Sequence, residues 1–252
     1  MKLTFLGTGT STGVPQLRCG CPTCRSDDPR DKRLRASVLV ETGGRRLLID
    51  CGPDFREQML REGSPDIDAL LLTHIHYDHV GGIDDLRPWC RHGHHFDIHC
   101  TADVESDLRA RLPYCFTEHP YPGVPSFRML RIHPENDFIA AGINVTPLPV
   151  MHYRLPIIGF RIGDTAYITD AKTVPESTLL RLRGLDTLVV NALRPAEHLS
   201  HMNLEQAVAL ASRVGARRTL FTHISHDMPP HASVSLPHGI SLAYDGLTVE
   251  TT

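Results

Sequence analysis

The sequence predicts a four-layer α/β/β/α sandwich forming a single domain over residues 1–252. Three observations predict it. Short apolar runs recur in two series along the chain, helical patterns lie between them, and a dense cluster of histidines follows one of the most apolar runs.

The first series of strand-like runs covers residues 2–6, 36–41, 46–49, 69–73 and, less sharply, 97–100. The second covers 143–148, 159–162, 166–169, 187–191, 218–222, 241–244 and 248–250. Gly43-Gly44 between two runs reads as a tight hairpin turn. Among the helices, Asp54 with Glu57 reads as a capping box opening a helix to about Glu62. Leu204, Val208, Ala211 and Val214 share one face of another, with Asn203 as its N-cap and Gly215 as its stop. Two more helices are expected near 102–112 and 176–183. The proline-rich stretch 113–125 reads as an ordered loop over a sheet edge. Solenoid repeats and low-complexity tracts are absent.

Composition narrows the function classes. A chain of 252 residues with 41% hydrophobic content supports a sizeable core. A formal charge of −3 and a pI near 6.6 predict no extended nucleic-acid surface. No stretch approaches the roughly 18 apolar residues that span a bilayer, so no membrane partner is expected. The N-terminus enters a strand-like run without a signal-peptide pattern, and the expected location is cytoplasmic. That compartment keeps thiols reduced, so the 7 cysteines need an explanation other than disulfides.

The chemistry concentrates in His74-Ile75-His76-Tyr77-Asp78-His79, directly after Ala69-Leu70-Leu71-Leu72-Thr73. Histidines two apart cannot share a helix face, which excludes the helical zinc pattern with histidines four apart. A loop at a strand end can instead wrap His74 and His76 onto one metal and Asp78 and His79 onto a second, as two-metal hydrolysis requires. Three later residues sit at or just past expected strand ends: His152, Asp170 and His223. Strand ends present functional groups from a rigid frame.

Together these residues resemble the metallo-β-lactamase superfamily of binuclear hydrolases. The resemblance implies that His74, His76 and His152 hold one metal and Asp78, His79 and His223 the other. Asp170 bridges them, and a hydroxide lies between the ions. Neutral imidazoles and carboxylate oxygens suit zinc or manganese. Asp at the bridging position, in place of Cys, points away from the true β-lactamases, and His76 points away from the diiron oxygen reductases.

A second cluster, Cys19-Gly20-Cys21-Pro22-Thr23-Cys24, offers three thiolates and is one ligand short of a tetrahedral structural zinc site in an N-terminal loop at about 19–24. His226, three residues after His223, is the expected fourth. With this cluster the chain is similar to the phosphodiesterases of the carbon–phosphorus lyase pathway, which cleave phosphoribosyl cyclic phosphates. The match at His201-Met202-Asn203-Leu204 implies a histidine aimed at the substrate phosphate. His201, together with Asp78, is therefore expected to be catalytic, with His198 its nearby competitor and Arg194 a further phosphate contact to consider.

Weaker signals remain. Residues 7–13, Gly7-Thr8-Gly9-Thr10-Ser11-Thr12-Gly13, lack the spacing of a dinucleotide loop and no helix follows them; in the superfamily this loop lies beside the metal cleft. Asp50 ends an apolar run and suits the free N–H of a ligating histidine. Cys51, Cys90, Cys100 and Cys115 read as core or surface thiols, and His92, His94 and His95 as a solvated loop.

The expected function is hydrolysis of a small phosphodiester, a cyclic ribosyl phosphate or a nucleotide, by a binuclear centre. The expectation allows a homodimer. Rival readings are a glyoxalase II-like thioesterase, a ribonuclease Z-like RNA-processing enzyme and a non-catalytic pathway accessory like those of quinone-cofactor biosynthesis. The cysteines and His201 count against the first, the lack of a basic Gly-rich arm against the second, and the complete ligand set against the third.

Overall fold

The computed structural model describes residues 1–93, 95–119 and 121–251, with residues 91–93 described by backbone alone. Its first sheet collects β1 (Lys2–Gly7), β2 (Ser37–Thr42), β3 (Arg45–Ile49), β4 (Ala69–Leu71), β5 (Phe96–Cys100) and β6 (Phe127–Arg131). The second collects β7 (Phe138–Ala140), β8 (Ile143–His152), β9 (Leu155–Ile162), β10 (Thr165–Ile168), β11 (Thr187–Asn191), β12 (Arg218–Thr222) and β13 (Ile240–Leu242). The last strand, β14 (Thr248–Glu250), returns to the first sheet and pairs antiparallel with β1. The sequence grouped this strand with the second series. The pairing of Leu3 with Val249 shows why it crosses back: it covers the open edge of β1.

Two runs of parallel strands, β3 to β6 and β10 to β13, make the middle of the sandwich. The inner strands β4, β10 and β11 are buried on both faces, as is the run Leu47-Leu48-Ile49 of β3. Leu47 and Ile49 pack between the sheets with Phe160, Tyr167 and Val189. Leu48, on the opposite face, packs with Phe55, Met59, Val104 and Leu108, from α2 (Phe55–Arg61) and α4 (Ala102–Arg111). On the other side, Leu188 and Val190 pack against Ala207, Leu210 and Ala211 of α6 (Leu204–Val214) and beside α5 (Glu176–Arg181). Four layers result, as expected.

Several elements depart from the sequence reading. β6 and β7 had no recognised signal. Phe127-Arg128-Met129-Leu130-Arg131 is an edge strand whose arginines pair with Asp97 and Glu105, so it lacks a clean apolar alternation. β8 runs on to His152 through Pro147 and Pro149. β7 covers only residues 143–145 of it, so beyond Val145 one edge is open and the prolines displace no ladder hydrogen bond. The capping box at Asp54 does not form. Asp54 instead receives the Arg35 backbone N–H at 2.8 Å and its guanidinium at 2.7 Å. At α6 the expected Asn203 cap is present, reinforced by Gln206, and Gly215 ends the helix with φ of 68°. Residues 113–116 form a 3-10 turn within the proline-rich loop. Of the 92, 94 and 95 histidines, His94 and the His92 side chain lie outside the described residues, and His95 is exposed. Among the described residues no helix is long and apolar enough to cross a membrane.

Candidate metal centre

β3, β4, β8, β10 and β12 all point their C-terminal ends to one edge of the sandwich. The chain turns sharply there. Asp50, Asp170 and His223 each take positive φ, between 54 and 62°. This left-handed backbone costs roughly 1–3 kcal/mol per residue and persists where the surroundings over-determine it. After β4, residues 72–76 are irregular, but Asp78 and His79 stand on a single helical turn, α3 (Tyr77–Val80), rather than on the expected loop. The turn rests on Gly52: a β-carbon there would collide with the Asp78 carbonyl oxygen.

Asp170 lies at the middle of the cluster. Its Oδ1 lies 3.1 Å from His223 Nε2 and 2.9 Å from His201 Nε2, and its Oδ2 lies 3.2 Å from His79 Nε2. Asp78 Oδ2 is 3.1 Å from His79 Nε2 and 3.4 Å from His223 Nε2. Donor atoms of Asp78, His79, Asp170 and His223 thus lie within 4.8 Å of one another, as do those of His152, Asp170 and His201. His74 and His76 flank this cluster, with His74 Nε2 3.1 Å from His76 Nδ1 and the His76 and His152 rings 5.1 Å apart. The tighter grouping with His152 is made by His201, which the sequence reading kept apart from the ligands.

The ring orientations are fixed from behind. His79 Nδ1 donates to Asp50 Oδ2 at 2.7 Å, and Asp50 also accepts from the Thr73 backbone and hydroxyl. Asp50 thus receives the ring N–H of a histidine of the cluster, the contact the sequence suggested for it. His152 Nδ1 donates to the carbonyls of Asp170 and Ser200, leaving Nε2 with a free lone pair. His198 Nδ1 lies 3.2 Å from His201 Nδ1, with the Ser200 hydroxyl near both.

Charge and burial compete throughout. Burial lowers the pKa of His79, but Asp78, Asp170 and Asp50 override it and hold the ring well above its ordinary value. Burial likewise opposes ionisation of Asp170, yet His223 and His79 keep its carboxyl well below the usual range. At His74 burial and the neighbouring His79 outweigh Asp170 and Asp78, and the pKa is driven well down. Burial also brings His201 down to about 4, against the Asp170 hydrogen bond. A metal fits this donor set. Buried His79 Nε2 has no hydrogen-bond partner among the described residues and faces two carboxylates, the position in which an imidazole ligates a cation.

The cysteine loop comes to the same segment. α1 (Pro22–Arg25) begins within it, and Cys19, Cys21, Cys24 and His226 bring donors within 4.8 Å of one another. His226 Nδ1 is 3.3 Å from Cys19 Sγ and 3.6 Å from Cys21 Sγ. Tetrahedral zinc with bonds of about 2.0–2.3 Å sets ligands roughly 3.5 Å apart, so the set fits. The Cys24 backbone N–H lowers the Cys21 thiol to about 6, whereas burial raises Cys24 to about 11. The 7–13 loop braces this side, where the Thr8 carbonyl accepts from Ile224 N and Thr10 N donates back to Ile224 O. Arg194 pairs with Asp227 at 2.9 Å, beside the cysteine site.

A family model for the β-lactamase superfamily domain matches residues 45–224. The chain belongs to that superfamily. Its structure is similar to a crystal structure of a new diphosphatase from the PhnP family, with 42% identity, a TM-score of 0.92 and coverage of 100% of this chain and 98% of that one. The superfamily fold and this PhnP-like relative make the chain a metal-dependent hydrolase. It is 43% identical over 251 residues to a protein named octanoyltransferase from Porphyromonas gingivalis, covering 98% of this chain but 51% of that protein. The chain thus spans about half the length of that curated relative. Zinc-bound PqqB of Methylobacterium extorquens, at 24% identity, a TM-score of 0.81 and full coverage of both chains, shares the fold.

Proposed function

We propose that the chain hydrolyses a small phosphodiester, such as a cyclic ribosyl phosphate or a nucleotide. The observation that carries this reading is the Asp170 carboxylate, whose Oδ1 faces His223 and His201 and whose Oδ2 faces His79. We assign Asp78, His79 and His223 to one divalent ion, His74, His76 and His152 to a second, and Asp170 to both, with zinc or manganese as the metals. Cys19, Cys21, Cys24 and His226 are assigned to a structural zinc. Two ions held there would activate a water and neutralise charge developing on the phosphoryl oxygens.

The protein's own groups supply orientation and a proton. Asp50 and Thr73 hold the His79 and His74 rings, and the Asp170 and Ser200 carbonyls hold His152. His201 Nε2 carries the proton for the leaving oxygen. Burial favours its neutral form, and the negative charge of a bound phosphoryl group opposes that effect.

The diphosphatase relative at 42% identity favours a second reading, cleavage of a P–O–P linkage. The two readings make different demands on His201, because the phosphate released from a P–O–P linkage is a far weaker base than an alkoxide and needs little protonation. An alkoxide leaving group needs a proton, and a positioned acid contributes about 10²–10⁴ in rate. A nitrophenolate needs none. His201→Ala is expected to cost about 10²-fold or more with an alkyl diester and under tenfold with a nitrophenyl diester. Equal losses on both, or loss of bound metal on elemental analysis, would remove the general-acid role. Side-by-side assays on a diester, a diphosphate, a thioester and a transfer-RNA precursor would separate the rivals, and inactivity on all four would favour an accessory role.

A further inference from the structure

A cavity of about 320 Å³ adjoins the centre, and His74 lines it. Its walls are apolar: Ile75 from the metal-binding motif, Val104 from the start of α4, and Leu155 and Ile157 from β9. Two segments therefore serve both places. Residues 73–76 carry ligands out of β4, and the β8–β9 hairpin carries His152 before turning into the cavity wall. Such walls offer nothing to a phosphate or a bare sugar. A dry cavity of about 150 Å³ already holds benzene, so this one has room for a fused ring. Asp103 and His133, both solvent-accessible at its lining, can pair with ring donors and acceptors.

We propose that this cavity is a subsite for a planar aromatic group, a nucleobase or an aryl ring, carried by the substrate whose phosphoryl group lies at the metal centre. The proposal rests on the phosphoryl reading above and specifies the class of substrate.

Calorimetric titration of the metal-loaded protein with adenosine 5′-monophosphate, ribose 5-phosphate and inorganic phosphate tests it. The ring should give the nucleotide about tenfold tighter binding than ribose 5-phosphate, an increment expected for partial ring burial. Ala102, exposed on the first turn of α4 and lining the cavity, is a safe position from which to fill it. Ala102→Phe, and independently Leu155→Ser, should reduce that preference to about twofold or less. Equal binding of the two sugar phosphates by the parent protein overturns the subsite. A tenfold preference kept by both variants overturns its assignment to this cavity. Failure of all three compounds to bind overturns the phosphoryl reading, and the subsite with it.

Discussion

His99 shows how one side chain outside the centre sets acid stability. It lies buried on β5, stacked on Phe138 at 5.2 Å, and its Nε2 has no partner among the described residues. Burial lowers its pKa, with Asp97 opposing and Arg128 assisting. A histidine with a depressed folded pKa stabilises the fold fully above its unfolded value near 6.5, and that contribution is lost as pH falls. His99→Phe should therefore gain on the parent in denaturant midpoint between pH 7.5 and pH 5, while differing little above pH 7. A constant offset across that range would show that folding does not shift the His99 pKa. At this scale much of the centre was legible in the sequence, because metal chemistry allows few residue types and those were placed at strand ends. The position of His201 against Asp170 was not, since it depends on how the loop after β11 folds back.

Between residues and layers, α3 depends on glycines in the segments packed against it. Gly52 and Gly82 let the loop after β3 press onto it, and a methyl at Gly52 would meet the Asp78 carbonyl oxygen. Close-packed interiors do not absorb such a change, and overpacking costs about 1–3 kcal/mol or more. Gly52→Ala is expected to lower the melting temperature by several degrees and to weaken metal binding more than tenfold by shifting Asp78 and His79. Normal metal affinity in a destabilised variant would confine the effect to packing. The glycine was visible in the sequence, but nothing in the letters tells which backbone will approach it. The same holds for β6, β7 and the unformed cap at Asp54, which are decided by partners distant along the chain. The cap at Asn203 was legible because all its atoms lie within four residues.

Across the whole molecule, the segment from Thr222 to His226 joins the histidine–carboxylate cluster to the cysteine cluster. Cys21→Ser should lower metal content from three ions per chain to two and lower the melting temperature. It should also open the N-terminal loop to protease. Structural zinc contributes on the order of 10 kcal/mol in small peptides, and less is expected in a domain with three apolar clusters of its own. An unchanged melting temperature would remove the cysteines from the metal assignment. The layer order was legible in the sequence because strands buried on both faces and helices buried on one have different periods. The return of β14 beside β1 was not, since edge pairing leaves little pattern in three residues.

The left-handed turns at Asp50, Asp170 and His223 act as a conformational sieve on heredity. Glycine would relax each turn but carries no ligand atom, while β-branched residues are excluded by their own side chains. Asp, Asn and His enter this region several-fold more readily than most residues. At these three positions mutation thus has a shorter alphabet than side-chain chemistry alone would grant, because most other residue types meet a backbone cost before their donor atoms are tested.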